Sequence, residues 1–114
     1  MADEKSFWLA AADAYVAACR VRETTLRASE FAQLMGRSPV QLAREFQASV
    51  GIHVTDYFNA CRIARARELL RTTDRTTAQI AAATGFGTPR TFYRAFRRLT
   101  GRSPTDYRKE MSLA

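Results

Sequence analysis

An internal repeat constrains the fold of this chain more than any other feature. Pro39, Leu42, Arg44, Phe46, Gly51, Thr55, Asp56 and Tyr57 return fifty positions later as Pro89, Phe92, Arg94, Phe96, Gly101, Thr105, Asp106 and Tyr107. Upstream, Ala32 and Gly36 return as Ala81 and Gly85 at an offset of forty-nine, so the turn of the second copy is one residue longer. With 114 residues the chain makes one domain, or two very small lobes sharing a helix.

The second copy is the easier one to read. A short apolar helix (Ile80, Ala81, Ala82) meets Gly85, and Thr88-Pro89 opens another helix that runs through Arg98, a layout resembling the helix-turn-helix of DNA-binding proteins. With Phe92 as zero and about 100° per residue, Phe96 and Leu99 fall within roughly 40° of it. Arg90, Arg94 and Arg97 lie at roughly 140–200°, on the other side. In the first copy, with Leu42 as zero, Phe46 and Ser49 share the packed side while Val40, Arg44 and Gln47 face away. Positions 40/90, 44/94 and 47/97 therefore correspond. A merely solvated face has no reason to keep its arginine in register with a packed Phe two residues on, in both copies. One packing face and one guanidinium face suit a rod in the major groove, where Arg donates two hydrogen bonds to guanine O6 and N7 and reaches flanking phosphates.

The remaining elements follow from spacing and end signals. Ser6–Arg22 reads as a packing helix with Phe7, Trp8, Ala11, Ala12, Tyr15, Val16 and Cys19 at spacings of three and four. Residues 23–27 turn the chain into a helix over Ala28–Met35. Ser38-Pro39 with Gln41 forms a capping box, Thr76 with Gln79 forms another, and Thr88-Pro89 and Ser103-Pro104-Thr105-Asp106 repeat the cap and proline. Gly51 and Gly101 end the two recognition helices in left-handed backbone. Tyr57 and Tyr107 brace the helix that follows each. Val54–Arg71 is a linker helix; at 1.5 Å per residue it is about 27 Å long, comparable to the roughly 34 Å between major-groove segments one turn apart. Arg62, Arg65, Arg67 and Arg71 give it a basic side suited to solubility and to phosphate contact. Thr72–Thr76 is a loop, Pro104–Met111 a closing helix, and the tail from Ser112 is expected to fray.

Together, LMGRSPVQLAREFQASVG, then Arg62-Ile63 with Ala66, Leu69 and Leu70, then IAAATGFGTPRTFYRAFRRLTGRSPTDYR resemble the DNA-binding domain of AraC/XylS-type bacterial transcription regulators. The resemblance runs from about Leu26 to Arg108, and the succession IA, GF, F-x-R-x-F, G-x-SP and YR is its specific part. It implies an all-α fold of about seven helices, with two homeodomain-like helix-turn-helix subdomains joined by a long linker helix. On that reading residues 1–53 hold the N-terminal helix and first unit, 54–72 the linker helix and 73–114 the second unit. Three departures stand out: Arg27 where the family has a small polar residue, His53 where it often has Ser, and Gly87-Thr88-Pro89 in place of acidic and polar residues after the GF pair. The resemblance also implies an effector-binding or dimerisation domain absent from these residues, as in a short regulator or the C-terminal part of a longer one.

Charge agrees with a polyanionic partner. Residues 1–60 carry 6 basic and 7 acidic groups, net −1, and residues 61–114 carry 12 and 4, net +8. All basic residues except Lys5 and Lys109 are Arg, which favours planar bidentate contacts. The base-edge readers are then Val40, Ala43 and Arg44 in the first unit and Arg90, Tyr93 and Arg94 in the second. Ser38, Gln47, Thr88, Arg97 and Arg98 contact the backbone or groove edge. No catalytic, metal or cofactor site is expected: His53 is the lone histidine and reads as the exposed start of the linker helix, and no Gly-rich phosphate loop or paired carboxylate motif is present. Cys19 and Cys61 lack metal-ligand spacing and read as free thiols in a reducing cytoplasm. No signal peptide or apolar span of membrane length occurs, so the expected location is cytoplasmic. The reading is a sequence-specific double-stranded DNA-binding transcription regulator of bacterial type. The rivals are a nonspecific nucleic-acid-binding module and an RNA polymerase-docking helical module using the weakly acidic first lobe.

Overall fold

In the computed structural model, residues 2–112 are described and form seven helices: α1 (Ala2–Arg22), α2 (Ala28–Leu34), α3 (Pro39–Val50), α4 (Val54–Thr72), α5 (Thr77–Ala83), α6 (Pro89–Thr100) and α7 (Pro104–Ser112). α1 begins four residues earlier than the apolar stripe implies, and α7 reaches Ser112; the frayed tail expected beyond it lies outside the described residues. The chain divides into two compact units, and the division between Phe58 and Asn59 falls inside α4.

Unit 1 is built on aromatic rings. Trp8, Tyr15, Phe31, Phe46 and Phe58 come from four different helices and share one core with Ala12, Cys19, Ala32, Leu42 and Val54. Trp8 packs edge-on against Phe31 and Phe46 with centroids 6.4 and 6.2 Å away, and Tyr15 stacks on Phe31 at 5.3 Å. Burying each large ring contributes about 1.5–3 kcal/mol, so this cluster holds a small unit together without disulfides. Cys19 is buried, and Cys19 and Cys61 are not joined in a disulfide. Phe7, expected on the packed stripe, is 54% exposed; it lies at that stripe's edge and contacts the Trp8 ring edge-on at 5.5 Å.

Arg27 stands at the start of α2 with no side-chain cap. Tyr15 takes over that role from α1: its hydroxyl accepts the Arg27 N–H at 2.9 Å and donates to Glu30 Oε1 at 2.8 Å. Those are the two ends that a capping box bonds directly. Burial, with the bond to Glu30 acting in the same direction, pushes the Tyr15 hydroxyl pKa well above its ordinary value.

Unit 2 has a smaller core: Ile63, Ala66, Leu69 and Leu70 of α4, Ile80 and Ala81 of α5, Phe92 and Phe96 of α6, and Tyr107 of α7. Tyr107 and its counterpart Tyr57 brace as expected. The Tyr107 ring meets Phe96 at 5.5 Å, and the Tyr57 ring meets Phe46 at 5.7 Å while its hydroxyl bonds Asp13. His53 starts α4 as read, exposed, with Nδ1 accepting the Thr55 N–H at 3.1 Å. α4 ends on Arg108, whose guanidinium donates to the carbonyls of Leu70, Thr73 and Arg75 at 3.1, 3.0 and 2.5 Å. This cation at a helix C-terminus satisfies carbonyls that have no partner within the helix.

The basic side of α4 is more occupied than a solvated stripe. Arg62 donates to Asn59 Oδ1 at 2.8 Å, Arg65 pairs with Glu68 at 3.2 Å, and Arg67 lies over the Tyr107 ring at 5.5 Å. Leu99 departs from expectation more clearly: placed on the packed face by its helical angle, it is 47% exposed. In unit 1 the Trp8 ring of α1 packs on Phe46 of α3. In unit 2 the helix in the place of α1 is α4, which packs Ile63, Ala66, Leu69 and Leu70 into the core but has no aromatic ring among its residues from Asn59 on to meet Phe96 as Trp8 meets Phe46.

Candidate nucleic-acid interface

The starts of the two candidate recognition helices are fixed by their caps. At α3, Ser38 Oγ accepts the Gln41 N–H at 3.2 Å while Gln41 Oε1 accepts the Ser38 N–H at 3.0 Å, completing the capping box, with Pro39 in the first turn. At α6, Thr88 Oγ1 accepts the Thr91 N–H at 3.1 Å and donates to Thr91 Oγ1 at 2.9 Å. The extra residue of the second turn, Gly87, is spanned by a Thr88 N–H to Phe86 O bond of 2.9 Å. Both helices stop at a left-handed glycine, Gly51 with φ 92° and Gly101 with φ 77°, whose amide bonds back to the carbonyl four residues earlier. Glycine reaches that conformation without the steric cost a side chain brings.

Between these ends each helix has an inner and an outer side. Leu42 and Phe46 of α3, like Phe92 and Phe96 of α6, are buried. On the outside, Val40, Arg44 and Gln47 of α3 are exposed together, as are Arg90, Arg94, Arg97 and Arg98 of α6. Ala43 is half-buried on the flank of α3, and Tyr93 is 44% exposed on α6, its hydroxyl 3.5 Å from Arg97 Nη1. Ser38 and Thr88 are exposed at the helix starts, with their side-chain oxygens engaged in the caps.

The outer faces differ in charge. α6 carries four arginines and no carboxylate, while α3 carries Arg44 and Glu45. Among the described residues no carboxylate pairs with Arg90, Arg94, Arg97 or Arg98; in this unit the ion pairs join Arg65 to Glu68 and Arg102 to Glu110. Arg37, in the turn before α3, is held three ways: to Glu45 at 3.0 Å, to the Met35 carbonyl at 2.7 Å, and over the Trp8 ring at 5.5 Å. Its charge is spent inside unit 1. Sequence spacing gave Arg37 and Arg108 no role, because their partners are carbonyls and rings brought near only by folding.

Among the described residues no group of three His, Cys, Asp or Glu side chains could hold a metal ion, and no helix is long and apolar enough to cross a membrane.

Comparison with known proteins places the fold. The family model described as a helix-turn-helix domain matches residues 31–110. The helix-turn-helix-type transcriptional regulator Rv1931c of Mycobacterium tuberculosis is 41% identical over 83 residues, covering 73% of this chain and 32% of that protein. Such curated relatives are much longer proteins, of which the chain spans 11–32%. Among solved structures, an AraC-type transcriptional regulator from Chromobacterium violaceum superposes with a TM-score of 0.75 at 25% identity, covering 96% of this chain and 93% of that one. The DNA-binding domain of the global transcriptional factor AdpA, solved in complex with a target DNA, superposes with a TM-score of 0.76 at 25% identity, covering 87% and 90%. The chain therefore belongs to the helix-turn-helix domain family, as a DNA-binding domain of the AraC/XylS type found in transcriptional regulators.

Proposed function

We propose that the chain binds double-stranded DNA sequence-specifically by inserting α3 and α6 into successive major-groove segments. The observation that carries this reading is the matched pair of outer faces, Val40, Arg44 and Gln47 on α3 and Arg90, Arg94 and Arg97 on α6, each opposite a buried Phe. The DNA-bound form in which the AdpA domain was solved supports it.

In this reading Val40, Ala43 and Arg44, with Arg90, Tyr93 and Arg94, meet base edges. Gln47, Arg97 and Arg98 reach phosphates, joined by Ser38 and Thr88 at the helix starts. Because the two outer faces differ in sequence, the site is asymmetric. Selection of bound duplexes from a random pool, followed by footprinting, should give a non-palindromic site of about two helical turns protected by a monomer. A palindrome protected by a dimer, or equal affinity for random and selected duplexes, would overturn the proposal.

A further inference from the structure

Val40 is an apolar side chain in line with the polar outer face of α3. It is β-branched, sits in the first turn of α3, belongs to neither core and is 67% exposed. Arg44 and Gln47, one and two turns on, share its outward side and are exposed too. At the matching register of the second copy stands Arg90.

We infer that Val40 reads the 5-methyl group of a thymine, so that the two halves of the DNA site differ in chemistry at equivalent positions: thymine under Val40, guanine under Arg90. The inference rests on α3 entering the major groove, as proposed above. The N-terminal residues of a recognition helix are the ones that reach base edges. Valine has no hydrogen-bonding group in its side chain, so it cannot pair with the acceptors and donors lining the groove and would leave any it covers dehydrated. The thymine methyl is the apolar group on that edge. Covering it removes apolar surface from water on both sides, which compensates for exposing Val40 in the free protein. Arg90, with five donors and no apolar tip, suits the O6 and N7 acceptors of guanine instead.

Duplexes selected by the full chain supply the probe. In the half whose base preference Arg44→Ala relaxes, each thymine is replaced singly by deoxyuridine, which deletes the methyl group and leaves the pairing edge intact. One such replacement should weaken binding by the wild-type chain about fourfold, the effect of about one buried methyl. The same replacement should change binding by Val40→Ala less than about 1.5-fold, because the partner of the methyl is already gone. Val40→Ile should retain the penalty. Position 40 is exposed, so thermal unfolding of the variants should match wild type. If no thymine in that half carries a penalty, or if the penalty survives undiminished in Val40→Ala, the inference is overturned. Replacing guanines of the other half by 7-deazaguanine, which lacks the N7 acceptor, separates this from the parent reading. A penalty there that vanishes in Arg94→Ala upholds major-groove reading even where methyl reading fails; no penalty at any guanine overturns both.

Discussion

On the proposed reading the arginines of α6 make two kinds of contact, and salt concentration can separate them. Arg97 and Arg98, proposed for the groove edge, should neutralise phosphates, whereas Arg94 should meet a base. Each phosphate contact contributes about 0.9 to the magnitude of the slope of log affinity against log salt. Replacing both Arg97 and Arg98 by Ala should therefore flatten that slope by about 1.8. Over a rise from about 50 to 200 mM salt, about 0.6 log unit, the wild-type chain should lose about tenfold more affinity than the double variant. Arg94→Ala should cost about 1–3 kcal/mol at the selected site, relax one base position and leave the slope nearly unchanged, because guanine O6 and N7 carry no phosphate charge. All three side chains are exposed, and Ala is the best helix former, so none of these changes should unfold α6. Fluorescence anisotropy of a labelled selected duplex, titrated at several salt concentrations, gives affinity and slope together. Equal slopes for wild type and double variant, or loss of base preference in Arg98→Ala but not in Arg94→Ala, would refute the division.

Two further predictions concern stability. Arg108→Met removes three bonds to the carbonyls of Leu70, Thr73 and Arg75. Unit 2 should lose about 2–3 kcal/mol, since hydrogen bonds to charged groups are worth about 1.5–3 kcal/mol each before allowing for solvent at this half-buried site. Urea unfolding followed by circular dichroism would expose an unchanged midpoint as contrary evidence, and Arg108→Lys should not restore the three-way contact. The second concerns alkaline pH. Because the folded chain holds the Tyr15 proton above its ordinary pKa of 10.0, the unfolded chain ionises first. The contribution is fully present below about pH 10 and declines as pH rises further. Trp8 lies in the same core, so its fluorescence reports unit 1 alone; Tyr15→Phe should remove the tyrosine-dependent part of the alkaline decline, and identical declines in the two chains would contradict the reasoning.

The parts of the fold that the sequence specifies are those governed by neighbours along the chain. Ser38 with Gln41 and Thr76 with Gln79 form their boxes as spaced, and α3 and α6 stop at their glycines. Helical angle alone placed Phe46 and Phe96 inside and Arg44 and Arg94 outside, which is how they lie. The same angle failed for Leu99 and Phe7, because an angle fixes a direction and not whether another helix lies in that direction. The Tyr15 bridge to Arg27 and Glu30 joins residues 12 and 15 positions apart, and Arg108 reaches back 33 to 38 positions. No periodicity marks such pairs. The Arg27 departure from the family pattern thus has a structural answer in a hydroxyl from another helix.

Comparing the two copies separates what packing demands from what packing leaves open. Inside, the pairs Leu42/Phe92 and Phe46/Phe96 keep large side chains, as expected where truncation costs about 2–5 kcal/mol, and half-buried Tyr57 matches buried Tyr107. Outside, Val40 corresponds to Arg90 in the repeat register, Gln47 to Arg97, and the flanking Ala43 to Tyr93. An outward helical position loses only a few tenths of a kcal/mol when one ordinary residue replaces another, roughly 0.7 at most, so stability does not explain a match between ordinary residues in mid-helix. Arg44 and Arg94 match nonetheless, and Lys, Glu or Gln would have served the helix equally well. On the proposed reading the shared guanidinium makes the same guanine contact in each half-site, while the unlike residues one turn to either side give the halves different neighbours. On that reading, agreement at Arg44/Arg94 beside disagreement at 40/90 and 47/97 is what a duplicated reader of an asymmetric site requires: one contact would fix each helix against the groove, and the others would tell the two halves apart.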